Sequence, residues 1–414
     1  MNILIIGTFH FPFGSANASR IRHYAKGLSE AGAKVRVVSQ IEIYDRAEDI
    51  GPDGQRRYLD IPYESVLGFR YQHKEKKRIV KDKLLLVNSF VRGALKAAQR
   101  AKDIIESEKI NAIIQYNRSY LSLQPFVRLC KRSRVLLIPD LTEWPYLHFF
   151  TGGVLSPFYL DEKLATHRSI VQSDGVIAIS RFLTDFYIHR GVPSLRIPAI
   201  IKIPEQMPEP FKVKSKNDEF NVTYLGSLHE RDGPFEMIGA IRKLLAKALP
   251  VRFTIVGSSG LAKTALKVRQ MCERDTLLRK KVDFLGRVDD EEVLRRLRVT
   301  DALLFVRPDD ITARAAFPTR LPEYLVSGRP VIVSGVGDIP EYLRDGIDAI
   351  VLKSFTADAI AHSIEKLMKM PDGGQSIGEA GFERARELFN YKTRTKQILD
   401  FIQKLHKNKS KTWH

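Results

Sequence analysis

The sequence predicts two α/β domains of the doubly wound kind, each a parallel sheet with helices on its faces. Short apolar runs alternate with longer helical patterns along the 414 residues, the mark of strand–helix–strand units. The alternation runs twice, each time opening on a strand, a glycine-bearing loop and a helix. Between the two runs lies a stretch with neither period. A chain of this length can fill two full cores.

The first run opens on "NILIIG". This could be mistaken for a signal peptide, but its apolar run is short and no basic segment precedes it, so it reads as a buried strand. The loop "GTFHFPFG" and a helix from Arg20 to about Gly32 follow. The strands "KVRVVSQ", "INAIIQYN", "SRVLLIPD" and "SDGVIAIS" come next. Each ends in polar or turn residues, where open sheets of this class place their ligand crevice. Residues 1–197 form the first domain. The stretch 198–219 is rich in proline and charge and reads as a linker.

Residues 220–388 restart the pattern with "NVTYLG", the loop "SLHERDG" and a helix from about Pro234 to Ala248. "VRFTIVG", "VDFLG", "DALLFV" and "RPVIVSG" supply further strands. The segment 389–414 holds the amphipathic helix "YKTRTKQILDFIQKL", expected to pack back on the first domain, and a basic tail.

Composition narrows the function. Hydrophobic residues make up 44% and charged residues 28%, an ordinary soluble balance. No apolar run approaches the ~18–20 residues that span a bilayer. Cys130 and Cys272 are far apart and form no metal spacing, which fits a reduced, cytoplasmic chain. The net charge of +19 calls for an anionic partner. Nucleic acid ranks below phosphorylated substrates and membranes, since zinc-finger spacing and RNA-binding aromatic motifs are both missing.

The stretch 70–103 holds 11 Lys or Arg against 3 Asp or Glu. Val80, Leu84, Val87, Val91, Ala94 and Ala98 form one helical stripe, which leaves Lys77 and Lys81 outward. With Trp413 in the basic tail, this suggests peripheral attachment to an anionic membrane surface.

The glycine loops offer backbone N–H groups and a helix end to phosphate, although neither is a G-x-G-x-x-G or a P-loop. In the second, Arg231 is suited to clamp a diphosphate through its two-pronged guanidinium. In "FPTRLPEYLVSGRPVIVSGVGDIPEYL", residues 317–343, the N–H groups of Thr319, Arg320 and Leu321 are expected to face a phosphate. Glu323 sits one turn in. Proline and glutamate in a first helical turn have an ordinary explanation, in the missing N–H and the helix dipole. A carboxylate there also accepts both hydroxyls of a ribose.

Taken together, these motifs resemble the GT-B glycosyltransferases of family four, which are retaining and use nucleotide-sugar donors. The segments are "ILIIGTFHFPFGSANASRIRHYAKGLSEAGAKVRVVS", "VTYLGSLHERDGPFEMIGAI", and "VDFLGRVDDEEV" through "GDIPEYLRDGIDAIVL". The resemblance implies two Rossmann-like domains facing each other across a cleft, with the C-terminal helix returning to the first. The first would bind the acceptor and the second the nucleotide sugar. It implies ribose binding by Glu323, base contacts near Arg287 and Val288, and donor contacts at Gly14, Gly226, Arg231, Thr319, Arg320 and Leu321. It also implies a nucleotide sugar as co-substrate with no metal and no other cofactor.

Three positions depart from the family pattern. Ala315 stands where a second glutamate is usual, and Ser227 and Asp232 replace an Arg and a Lys. "LLIPDLTEWP" offers Asp140 and Glu143 in place of a histidine, so these join Arg231 as catalytic candidates. The expected reaction is transfer to a glycan or lipid-linked acceptor in envelope, exopolysaccharide or lipopolysaccharide synthesis, at the inner face of the cytoplasmic membrane. A sugar-nucleotide epimerase and a non-catalytic binding subunit are the alternatives.

Overall fold

The computed structural model describes residues 1–14, 16–44, 47–51, 53–70, 83–116, 118–145, 156–209, 218–257 and 263–411. Lys77, Lys81 and Trp413 lie outside them. The chain divides into two compact units, residues 1–202 with 391–414, and residues 203–390.

The first unit begins with β1 (Asn2–Gly7), α1 (Ala16–Glu30) and β2 (Lys34–Ser39). Four short strands follow: β3 (Ile43–Tyr44), β4 (Arg56–Tyr58), β5 (Ile61–Ser65) and β6 (Phe69–Arg70). Then come α2 (Lys83–Glu108), β7 (Ala112–Tyr116), α3 (Tyr120–Ser133), β8 (Leu136–Leu141) and α4 (Pro157–Leu164). The unit continues with β9 (Val176–Ala178), α5 (Arg181–Ile188) and β10 (Ser194–Arg196).

Its eight-stranded sheet has the order β10-β9-β8-β7-β1-β2-β5-β4. All pairings are parallel except β4–β5. The chain starts at β1 and winds outward both ways, so the strand order reverses between β1 and β7. That is where such sheets open a crevice at their carboxyl ends. Ile3, Leu4, Ile5 and Ile6 are fully buried, as expected of a strand covered on both faces.

The β4–β5 addition was not foreseen. β5 reads "IPYES", in which Pro62 and Glu64 break any apolar run, and it is held by pairing with β2 and β4. α1 also begins earlier than Arg20, at Ala16.

The second unit contains β11 (Phe220–Leu225), α6 (Pro234–Ala246), β12 (Val251–Val256), α7 (Lys263–Arg274), β13 (Val282–Gly286), α8 (Asp290–Val299) and β14 (Ala302–Phe305). It continues through α9 (Ile311–Ala315), α10 (Leu321–Leu325), β15 (Val331–Ser334), α11 (Ile339–Tyr342), β16 (Ile350–Leu352), α12 (Ala357–Lys369) and α13 (Gln375–Leu388). The six strands are parallel in the order β13-β12-β11-β14-β15-β16. Here the order reverses between β11 and β14.

The C-terminal helix α14 (Tyr391–Ser410) belongs to the first unit. Ile398, Leu399, Ile402 and Leu405 join the core that contains Ile21, Tyr24 and Leu28 of α1. The Tyr391 hydroxyl donates to Glu30 at 2.8 Å. Burying four such aliphatic side chains, each worth roughly 1.5–3 kcal/mol, explains why the helix returns. Among the described residues no helix is long and apolar enough to cross a membrane.

Candidate functional site

In the first unit, a pocket of ≈ 420 Å³ opens where the strand order reverses. Its floor is built by the ends of three parallel strands: Thr8 after β1, Tyr116 on β7, and Asp140 and Thr142 at the end of β8. Arg118, Ser119, Leu121 and Glu143 add loop and helix residues, and α4 contributes Phe158, Asp161 and Glu162. The Tyr116 hydroxyl lies 3.2 Å from Thr142 Oγ1. Burial pushes the Tyr116 hydroxyl up, so it stays protonated.

Asp140 does not present a free carboxylate. Arg20 of α1 donates from Nε and Nη2 to both its oxygens, each at 2.8 Å, and both side chains are buried. Arg20 also donates to the carbonyls of Pro198 at 2.9 Å and Ile197 at 3.1 Å. Burial disfavours the Arg20 charge, but Asp140 overcomes this and raises its pKa. Tyr24 lies beneath the guanidinium, and its hydroxyl donates to Asp140 at 3.4 Å. Both Asp140 oxygens are thus engaged by Arg20, and the pair ties α1 to the end of β8. The signal was present in α1, since Arg20 shares the 3–4 spacing of Ile21, Tyr24 and Leu28 and so points inward.

Glu143 is half exposed and bound to Arg118 Nη2 at 3.1 Å. The same nitrogen meets Glu162 at 3.2 Å, and Nη1 donates to the Trp144 carbonyl at 2.9 Å. Asp161 accepts from the Leu121 N–H at 3.0 Å and so ties α4 to the start of α3. Burial pushes the Asp161 carboxyl up, against hydrogen bonds from Ser119, Leu121 and Tyr120. Arg20, Arg118 and Tyr116 were not among the site candidates in the sequence. Gly14 lies exposed in the β1–α1 loop with φ +146°, a conformation that favours glycine.

The second unit carries its candidates on the same kind of edge, after β11, β13 and β14. Gly226 ends β11, and a Cβ there would run into the Tyr224 hydroxyl. That hydroxyl bonds Asp232, which also accepts from Arg307 Nη2 at 3.3 Å. Asp232 is therefore turned inward. It does not stand in for an outward lysine but anchors Arg307 at the end of β14.

Arg231 and Arg287 are both exposed, and neither has a hydrogen-bond or ion-pair partner among the described residues. Val288 follows Arg287, half-buried, and Thr319 is exposed. Arg320 Nη1 donates to Glu323 Oε2, so these two candidates hold each other three residues apart. Tyr324, fully buried, accepts the Leu225 N–H at 2.7 Å and thereby fixes α10 to the end of β11. One expectation fails: the Leu321 N–H cannot face a phosphate, because it already bonds the Pro318 carbonyl at 3.1 Å. Ala315 is fully buried. Among the described residues, no group of three His, Cys, Asp or Glu side chains could hold a metal ion.

Residues 206–384 match the family model of glycosyl transferases group 1. The uncharacterized glycosyltransferase MJ1069 of Methanocaldococcus jannaschii is 23% identical over 262 residues, which cover 61% of this chain and 63% of that one. The chain thus spans less than two thirds of that relative. The structure of Anabaena HepE in complex with UDP and glucose superposes with TM-score 0.67 at 17% identity, over 98% of this chain and 100% of HepE. The sucrose-phosphate synthase of Thermosynechococcus elongatus gives TM-score 0.68 at 17% identity, over 98% of each chain. The chain has the GT-B fold, and the region that matches the group 1 glycosyltransferase model lies in its second unit.

Proposed function

We propose that this chain is a glycosyltransferase that takes a sugar from a nucleoside diphosphate donor and passes it to a hydroxyl of a glycan or lipid-linked saccharide. The observation that carries the reading is the second domain's strand edge. Two exposed arginines there, Arg231 and Arg287, follow β11 and β13 on the edge that α10 and its carboxylate Glu323 share, within the matched residues 206–384. In this reading Glu323 turns from Arg320 to the ribose hydroxyls and releases that guanidinium toward phosphate. Arg231 takes up charge on the leaving diphosphate, and Arg287 and Val288 lie by the base. Oriented donors aimed at developing charge are worth roughly 3–4 kcal/mol each in the transition state. HepE, of the same fold, is seen with UDP and with glucose, which supports a nucleotide-sugar donor here.

The first domain would hold the acceptor at the pocket beside Glu143. The bond from the anomeric carbon to the phosphate oxygen breaks as the acceptor oxygen bonds that carbon. With retention, the acceptor arrives on the face the phosphate leaves, so the departing phosphate oxygen is the nearest base for its proton. The reaction as drawn calls for no metal. The net charge of +19 favours a working place at the inner face of the cytoplasmic membrane, beside an envelope or lipopolysaccharide acceptor.

The test is turnover of a nucleotide-sugar panel with saccharide acceptors, with and without chelator. Glycosylated acceptor is expected. Isomerised donor would mark an epimerase, and binding without turnover a non-catalytic subunit. Sedimentation with anionic but not neutral vesicles, lost at high salt, checks the membrane assignment.

A further inference from the structure

The first-domain pocket is charged against the rest of the molecule. The chain carries +19 overall, yet four carboxylates line this pocket: Asp140, Glu143, Asp161 and Glu162. Among the described lining residues Arg118 is the one cation, and Arg20 lies behind Asp140. Both arginines are already engaged. Arg20 is buried with both prongs on Asp140 and its remaining contacts on backbone carbonyls. Arg118 is held by Glu143, Glu162 and the Trp144 carbonyl, its charge already answered twice.

The same pocket exposes apolar side chains at its lip. Phe158 is 40% exposed and Leu121 47% exposed, and Pro157 stands beside Phe158. Carboxylates accept hydrogen bonds from neighbouring hydroxyls, and a ring face offers the C–H side of a pyranose an apolar partner.

From this cavity we infer that the acceptor's reacting end is an uncharged saccharide, and that the pocket excludes uronates and sugar phosphates. Glu143 and Glu162 are its specificity-determining residues, and Phe158 is the platform. The inference rests on the reading of the chain as a transferase with its acceptor in the first domain. It deepens that reading by naming the substrate class. A basic surface gathers anions broadly, so selection against them has to be built at the pocket itself.

The experiment uses the full chain without donor. Ligand-observed NMR titrates methyl glucoside, methyl glucuronide and glucose 6-phosphate, each against wild type, Phe158→Ala and Glu143→Gln/Glu162→Gln. The neutral glycoside is expected to bind at least tenfold more tightly than either anion. Phe158→Ala should weaken it severalfold, and the double variant should close the gap between neutral and anionic sugars. All three positions are at the pocket surface, and matching melting curves establish that the variants fold.

Anions binding as tightly as the glucoside would overturn the inference, as would a glucoside titration unmoved by Phe158→Ala. A parallel titration with UDP, GDP, ADP and CDP separates the two readings. No sugar binding with a nucleotide still bound sinks the pocket assignment and leaves the transferase standing. No binding of any nucleotide or sugar sinks both.

Discussion

The two strand edges use arginine in opposite ways. In the first domain Arg20 and Arg118 are tied to carboxylates, and the pocket they frame is left acidic. In the second, Arg231 and Arg287 stand exposed, while Asp232, the nearby buried carboxylate, is matched to Arg307. Both edges sit where the strand order reverses, so the architecture is shared and the chemistry is set by which charges are already answered. A paired arginine organises a wall, whereas an exposed one without a described partner keeps its donors open to solvent.

Stability should separate the two edges most sharply. Asp140→Ala strands a buried guanidinium, and removing one partner of a buried pair costs about 3–5 kcal/mol. Arg231→Ala removes an exposed side chain without a described partner and should stay within about 0.5 kcal/mol of wild type. Urea melts of both variants check this. Equal stability of Asp140→Ala and wild type would show that the Arg20 pair does not hold the first edge together.

Acid should also act first on the first domain. His23 on α1 has Nδ1 2.8 Å from the Ser19 carbonyl, and its Nε2 accepts the Lys202 N–H at 3.1 Å, so it is a neutral imidazole. Burial, with Arg22 and Lys26 nearby, lowers its pKa to about 4. The unfolded imidazole protonates near the ordinary value of ~6.5. Between these values the unfolded chain binds more protons, so stability falls as pH drops from about 6.5 to about 4 and levels off below. The loss amounts to about 3 kcal/mol at ~1.4 kcal/mol per pH unit. His23→Gln should flatten that limb of the stability curve.

Ligand binding is expected to invert the ranking. Glu323→Ala should weaken nucleoside diphosphate binding by about 1.5–3 kcal/mol, the scale of hydrogen bonds to a charged group. Calorimetry on the folded variant measures it. Glu143→Gln should leave that affinity unchanged while abolishing transfer. If the two variants lose nucleotide equally, the division of labour between the edges is wrong.

How much of this was readable in the sequence depends on how local the cause is. The opening strands announce themselves, because Ile3 to Ile6 and Val222 to Leu225 are buried from both sides. The α10 motif is likewise a continuous string. The pairings that decide the chemistry are not local. Arg20 and Asp140 are 120 residues apart, and Arg307 and Asp232 are 75 apart. Asp232 could therefore be seen as a missing lysine but not as a tether. Leu321 shows the reverse limit: its N–H looked free because the turn that engages the Pro318 carbonyl depends on backbone angles that residue types do not specify.

The smallest contrast concerns two buried tyrosines, one under each edge. Tyr324 accepts the Leu225 N–H at 2.7 Å and has no exposure. Tyr324→Phe leaves a buried backbone donor without that partner, which costs about 1–3 kcal/mol. It also loosens α10, so nucleotide affinity should fall together with stability. Tyr24 is also fully buried, but its hydroxyl reaches Asp140 at a long 3.4 Å, and that carboxylate keeps both bonds from Arg20. Its ring lies 4.8 Å from the Arg20 guanidinium, a contact phenylalanine retains. Tyr24→Phe should thus cost less than about 1 kcal/mol and leave the pocket's sugar preference unchanged. Thermal melts of the pair, read with nucleotide and sugar titrations, measure the difference. A larger loss for Tyr24→Phe than for Tyr324→Phe would mean that the first edge depends on the hydroxyl and not on the arginine above it.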